Sequence, residues 1–192
     1  MPGSSLWLVP PEDSELYKAI YELIVTDVPS VYPAKVPHFT PHITLTSDVT
    51  IPDTEDSQKW LEGIKLPDTK ALKVAIRQAE VGSIFFKKIT MRCDKTPELC
   101  ALAASCRAAG VQGNDAKGAQ KWAEERSDMP EDEVEAKLDD VHKKVQEAKQ
   151  QHPDSITAKG GSVLLVPTHK PIEEWKSIAV RQLPEMEWTW HT

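Results

Sequence analysis

The segment Pro41-His42-Ile43-Thr44-Leu45 holds an imidazole and a hydroxyl two residues apart. On an extended chain, residues i and i+2 point to one side, about 6.6 Å apart by strand rise. Histidine titrates near neutrality and so takes or gives a proton at ordinary pH. A hydroxyl beside it donates a hydrogen bond to an anionic oxygen. The pair suits proton transfer at a phosphate that the hydroxyl helps to hold. The same tripeptide also fits a histidine hydrogen-bonded in a half-buried strand, with no chemistry attached.

The other titratable groups offer less. His169 closes Pro167-Thr168-His169 with no hydroxyl at the matching spacing. His142 is expected on the solvated side of a charged helix, and His152 and His191 in loop or tail. His38 precedes His42 by about 13 Å of extended chain, too far for a shared metal. Cys93, Cys100 and Cys106 lack the pair-plus-pair spacing of a zinc site and read as reduced thiols of a cytosolic-type compartment.

The elements that must hold these residues follow from periodicity. Leu6-Trp7-Leu8-Val9 reads as a short buried strand stopped by Pro10-Pro11. A helix follows, capped by Asp13 or Ser14, with Leu16, Ala19, Ile20, Leu23 and Ile24 at helical spacing and Pro29 as its end. From Phe39 to Thr46, Ile43 and Leu45 alternate with His42, Thr44 and Thr46, the period of a strand with one polar face. A short helix runs from Asp53 to Gly63. Ala71 to Val81 and Ile84 to Cys93 form a hairpin about Gly82-Ser83. Thr96-Pro97 opens a further helix. Gly110 to Gly118 reads as a loop, and a charged helix runs from Pro130 to about Gln151 on Val134, Leu138, Val141 and Val145. Ser162 to Pro167 and Ser177 to Leu183 are the last strands. Interspersed strands and helices of this kind make an α+β domain.

At 192 residues the chain suffices for one domain, 1–192, with a sizeable core. A net charge of −7 and no clustered basic face argue against a polynucleotide partner, while a small anion remains compatible with a locally positive pocket. Only four apolar residues run together near the N-terminus, too few for a signal segment or a membrane span.

Several stretches together resemble the fungal and plant cyclic phosphodiesterases of the two-histidine phosphoesterase superfamily. They are Ser5 to Pro10 with the capped helix after it, Val36 to Leu45, Lys95 to Leu99 with its helix, and Gly160 to Thr168. The resemblance covers nearly the whole chain. It implies two pseudo-symmetric lobes with antiparallel sheets around a central cleft and helices outside. Each lobe would give one His-x-Thr/Ser strand to that cleft. It implies opening of 2′,3′-cyclic nucleotides to 2′-phosphates, or of ADP-ribose 1″,2″-cyclic phosphate, with no metal or other cofactor. His42 and Thr44 take the first motif, and Trp7 matches the position that stacks on the base. The resemblance also implies a monomer acting on products of tRNA splicing, in the cytoplasm or associated with the Golgi.

The second motif is missing from its place. It should fall between the Thr96-Pro97 helix and the helix after Pro130, yet Gln120 to Pro130 holds no histidine and no alternation. Ser127-Asp128-Met129-Pro130 resembles the exit of the first motif, Ser47-Asp48 to Pro52, with its strand gone. Roughly eight to ten residues, one average strand and its approach, are expected to be absent between Glu125 and Arg126. Three readings follow: a phosphodiesterase whose second-motif segment is missing only from this sequence, a degenerate relic with a genuine deletion that binds nucleotides without turning them over, or an unrelated α+β interaction protein using its acidic helix from Glu131 to Gln151.

Overall fold

The computed structural model describes residues 3–32, 38, 40–51, 56–81, 89–111, 135–151 and 156–191. The expected Gly82-Ser83 turn, the loop to Gly118, the interval from Gln120 to Pro130, the start of the charged helix and His152 lie outside them.

The fold is α+β, built on two four-stranded sheets. Sheet A runs β2-β1-β6-β7, from β1 (Ser4–Val9), β2 (Ile43–Val49), β6 (Ser162–Val166) and β7 (Ala179–Gln182). Sheet B runs β4-β3-β8-β5, from β3 (Lys73–Val81), β4 (Ile89–Cys93), β5 (Ile156–Lys159) and β8 (Glu187–Trp190). Every pair is antiparallel except β3–β8, which is parallel. That pairing departs from the antiparallel expectation; β5 and β8 were not legible as strands.

Alternation in β1 explains the layering. Leu6 and Leu8 turn into the main core with Val163 and Leu165 of β6, while Trp7 and Val9 turn to the other face and meet Val166. Helix α1 (Glu15–Glu22) starts at Ser14, whose hydroxyl accepts from Tyr17 N at 3.1 Å, and lays Leu16 and Ile20 on the main core. Pro29 does not end the helical run. A π turn over Leu23–Asp27 widens the ladder, and α2 (Val28–Val31) carries on through the proline. The wider turn moves the hydrogen-bond register, so the missing proline N–H costs little there.

Helix α3 (Ser57–Gly63) covers the edge of β7. Gln58 pairs both ways with the Val180 backbone, and Arg181 donates to the carbonyls of Leu61 and Ile64. Such cover blunts an open sheet edge. Helix α4 (Pro97–Gly110) is capped by Thr96, which accepts from Leu99 N. Its end docks on β2, where Thr50 N donates to Gly110 O at 2.9 Å. Helix α5 (Leu138–Gln150) buries Val141 and Val145. His142 is not on its solvated side: Nε2 lies 2.9 Å from Ala79 O on β3, as the helix turns that face to the sheet.

Gly160 and Gly161 alone carry the chain from sheet B to sheet A. Gly160 has φ +89°, and a Cβ on Gly161 would stand 2.9 Å from the Val9 carbonyl oxygen. Only glycine fits both demands.

Candidate functional site

Two irregularities shape the strand that leads away from the His-x-Thr segment. Thr44 pairs with Trp7, but the next pairing joins Thr46 to Leu6, with a register shift between. Leu6 is a core residue, so this β-bulge turns Thr46 inward, where it is buried. The expected common face of His42, Thr44 and Thr46 is therefore broken after Thr44. Asp48 then takes a left-handed backbone, φ 59°, before Val49 returns to pair with Ser4.

Thr44 stays beside Trp7 on the face of sheet A turned from the main core, because directly paired residues share a face. His42 lies one residue before β2 and folds over the indole. The rings of His42 and Trp7 are 3.8 Å apart between centroids and 11° from parallel. Trp7 is 4% exposed. Trp175 meets it edge-on at 5.9 Å and 66°, held by a bond from its indole N–H to Lys170 O at 2.7 Å. Val9, Val166, Leu164 and Tyr17 complete this second apolar cluster.

One hydrogen bond settles which imidazole nitrogen does what. His42 Nδ1 is 2.6 Å from Thr40 O. A carbonyl only accepts, so Nδ1 carries the proton and Nε2 keeps the lone pair in the neutral ring. The Thr40 side chain also faces Tyr17, whose phenol is pushed up by burial and then by Glu12 and Tyr21, and is drawn back by Thr40. Thr40 and Tyr17 went unnoticed in the sequence. Thr40 acts through a carbonyl that every residue has, and Tyr17 reads as one more residue of α1.

His38, His169 and His191 are exposed; His191 adds to the positive charge near Asp94, which Arg77 holds below the usual carboxylate range by a paired hydrogen bond. Cys93, Cys100 and Cys106 are free thiols. Two surface hollows of about 150 and 300 Å³ lie beside α5, and neither is lined by His42, Thr44 or Trp7. Among the described residues no group of three or more His, Cys, Asp or Glu is placed to hold a metal, and no helix is long and apolar enough to cross a membrane.

Of the groups gathered here, an imidazole can exchange a proton and a threonine hydroxyl can donate to an anion. A family model described as cyclic phosphodiesterase-like protein matches residues 1–183. A 2′,3′-cyclic-nucleotide 3′-phosphodiesterase of Phaeosphaeria nodorum is 32% identical, over 95% of this chain and 100% of that protein. One of Neurospora crassa is 34% identical, with the same coverage of both. One of Yarrowia lipolytica is 32% identical over 55% of this chain and 49% of its own length. For the first two, 95% of 192 residues, about 182, is spread over 197 and 215 matched positions, about 15 and about 33 more than this chain supplies.

Proposed function

The chain belongs to the cyclic phosphodiesterase-like protein family, and from that premise we propose that it hydrolyses 2′,3′-cyclic nucleotides to 2′-phosphates at His42 and Thr44. The observation that carries the reading is the fixed ring of His42: Nδ1 is tied to Thr40 O, and the ring lies flat on Trp7 beside Thr44. Water attacks phosphorus in line, and the bond from phosphorus to O3′ breaks. Nε2 of His42 takes the proton of the attacking water, and the Thr44 hydroxyl donates to a non-bridging oxygen as charge builds there. No metal takes part. ADP-ribose 1″,2″-cyclic phosphate presents the same reacting group. The same reading makes the protein a cofactor-free monomer of the cytoplasm or Golgi that clears cyclic phosphates left by tRNA splicing.

Residues 111–134 contain no histidine, so no second motif stands between α4 and α5. The departing oxygen then draws its proton from solvent, which costs about 10²–10⁴ in rate against a positioned acid. The lack of a second His-x-Thr/Ser motif in residues 111–134 supports a second reading. In it the protein binds cyclic nucleotides and does not turn them over.

Release of 2′-phosphate from 2′,3′-cyclic AMP in EDTA decides between them. Slow turnover that disappears in His42→Ala is the expected result. No turnover by a folded sample, with the melting temperature still raised by nucleotide, establishes the binding relic.

A further inference from the structure

We propose that Tyr21 is a stacking platform for a second base. The site then takes a dinucleotide ending in a 2′,3′-cyclic phosphate more tightly than a single cyclic nucleotide. The inference rests on the proposed chemistry at His42 and names the substrate class that chemistry would meet. Helix α1 buries Leu16 and Ile20 in the main core, and the residue after each is a tyrosine. Tyr17 and Tyr21 are one turn apart and so share a helix face. Their rings are stacked, 5.8 Å between centroids and 11° from parallel. Tyr17 is half-buried and packs on the cluster of Trp7, Val9 and Val166, beside which His42 and Thr44 stand. Tyr21 is 42% exposed; among the described residues it is the aromatic member of the exposed large hydrophobic side chains, with Ile178 and Val180.

Tyr17 covers one face of the Tyr21 ring, so the exposed area lies on the other face and the edges. An aromatic face backed by a second ring and open to solvent suits a nucleobase, and one stacked base adds about 5- to 100-fold to affinity. Charge argues for a short ligand. Lys18, one turn before Tyr21, is paired with Glu15 at 3.0 Å, Glu22 follows the ring, and Glu12 stands near Tyr17. The phosphates of a longer strand gain nothing there, and the whole chain carries −7. The nucleotide before the cyclic phosphate brings one base and one phosphodiester. Stacking therefore supplies the gain, and salt alters it little.

The test compares 2′,3′-cyclic AMP with the dinucleotide ApA ending in a 2′,3′-cyclic phosphate, using the full chain in EDTA. The wild type should show a KM for the dinucleotide about 5- to 100-fold lower. The ratio should persist from about 50 to 200 mM salt. Tyr21→Ala should bring the two KM values together by raising that of the dinucleotide, and Tyr21→Phe should keep them apart. Should Tyr21→Ala fail to fold, Tyr21→Leu takes its place, since it keeps bulk over Tyr17 without an aromatic face. Equal KM values in the wild type would overturn the proposal. So would a Tyr21→Ala protein in which both values rise in parallel, for then the ring only props Tyr17. A ratio that collapses with salt would assign the gain to phosphate contacts and overturn stacking. A wild type that turns over neither ligand sinks the proposed activity. The two dissociation constants, read by calorimetry in wild type and Tyr21→Ala, then decide the platform alone, a wild-type ratio near one overturning it.

Discussion

Sheets A and B start from one plan and present opposite faces. In each, a strand runs into a helix capped by a hydroxyl: β1 into α1 through Ser14, and β4 into α4 through Thr96. After α1 the chain returns to sheet A as β2, the edge strand that carries Thr44 behind His42. After α4 the next described helix is α5, and β4 is the edge of sheet B among the described residues. Across sheet A the outward row reads Thr44, Trp7, Leu164, Val180. Sheet B carries charges in pairs: Arg77 with Asp94, Arg92 with Glu80, Lys73 with Glu187. Exposed pairs of this kind add little to stability. Sheet A instead sets an imidazole, held by a carbonyl and an indole, beside its outward row. The difference teaches that one sheet gathers an imidazole, a hydroxyl and apolar rings on one face, and the other sets opposite charges side by side.

The largest expected effect comes from giving sheet B what sheet A has. A His-x-Thr strand of about ten residues, an average strand with its approach, inserted between Glu125 and Arg126, should raise kcat for 2′,3′-cyclic AMP by about 10²–10⁴. A folded insert that leaves kcat unchanged would break the parallel between the sheets. Next is the hydroxyl of sheet A. Thr44→Val should lower kcat by about 10²–10³, while Thr44→Ser stays within a few-fold, if the group donates to developing charge. The smallest effect probes the edge of sheet B. Burial, with Asp94 beside it, pushes the Cys93 thiol up from 9.0 to about 11. At pH 8 that leaves about a hundredfold less thiolate than an ordinary cysteine, and the fraction grows as pH rises toward 11. Alkylation at pH 8 should therefore mark exposed Cys100 well before Cys93. Equal rates would mean that β4 opens.

Much of this was legible because local signals agree. Ser14 and Thr96 announce their helices, Pro97 sits at a first turn, and Leu6 to Val9 reads as a buried strand with both faces covered. The π turn before Pro29 leaves no such mark, so the proline read as a stop. Strand β5 is only Ile-Thr-Ala-Lys, too short for periodicity to separate from loop, and β8 is Glu-Trp-Thr-Trp at the far end of the chain. At the site, residue types pointed to His42 and Thr44, but the bulge that buries Thr46 depends on register between strands some 35 residues apart. The stack on Trp7 depends on that same register.

The placement of the first and last strands governs when the molecule can be finished. β1 is an inner strand of sheet A and cannot complete its ladder until β6 brings Val166 to Ser5. β8 is an inner strand of sheet B, and its Trp188 and Trp190 are among the largest fully buried side chains. A nascent chain must therefore hold the apolar faces of both sheets partly uncovered until β6 and β8 have been made. Such distant pairings make folding slow and leave strand edges exposed to other chains in the meantime. The imidazole of His42, stacked on β1, thus sits on a sheet that is closed only when strands made more than a hundred residues later arrive.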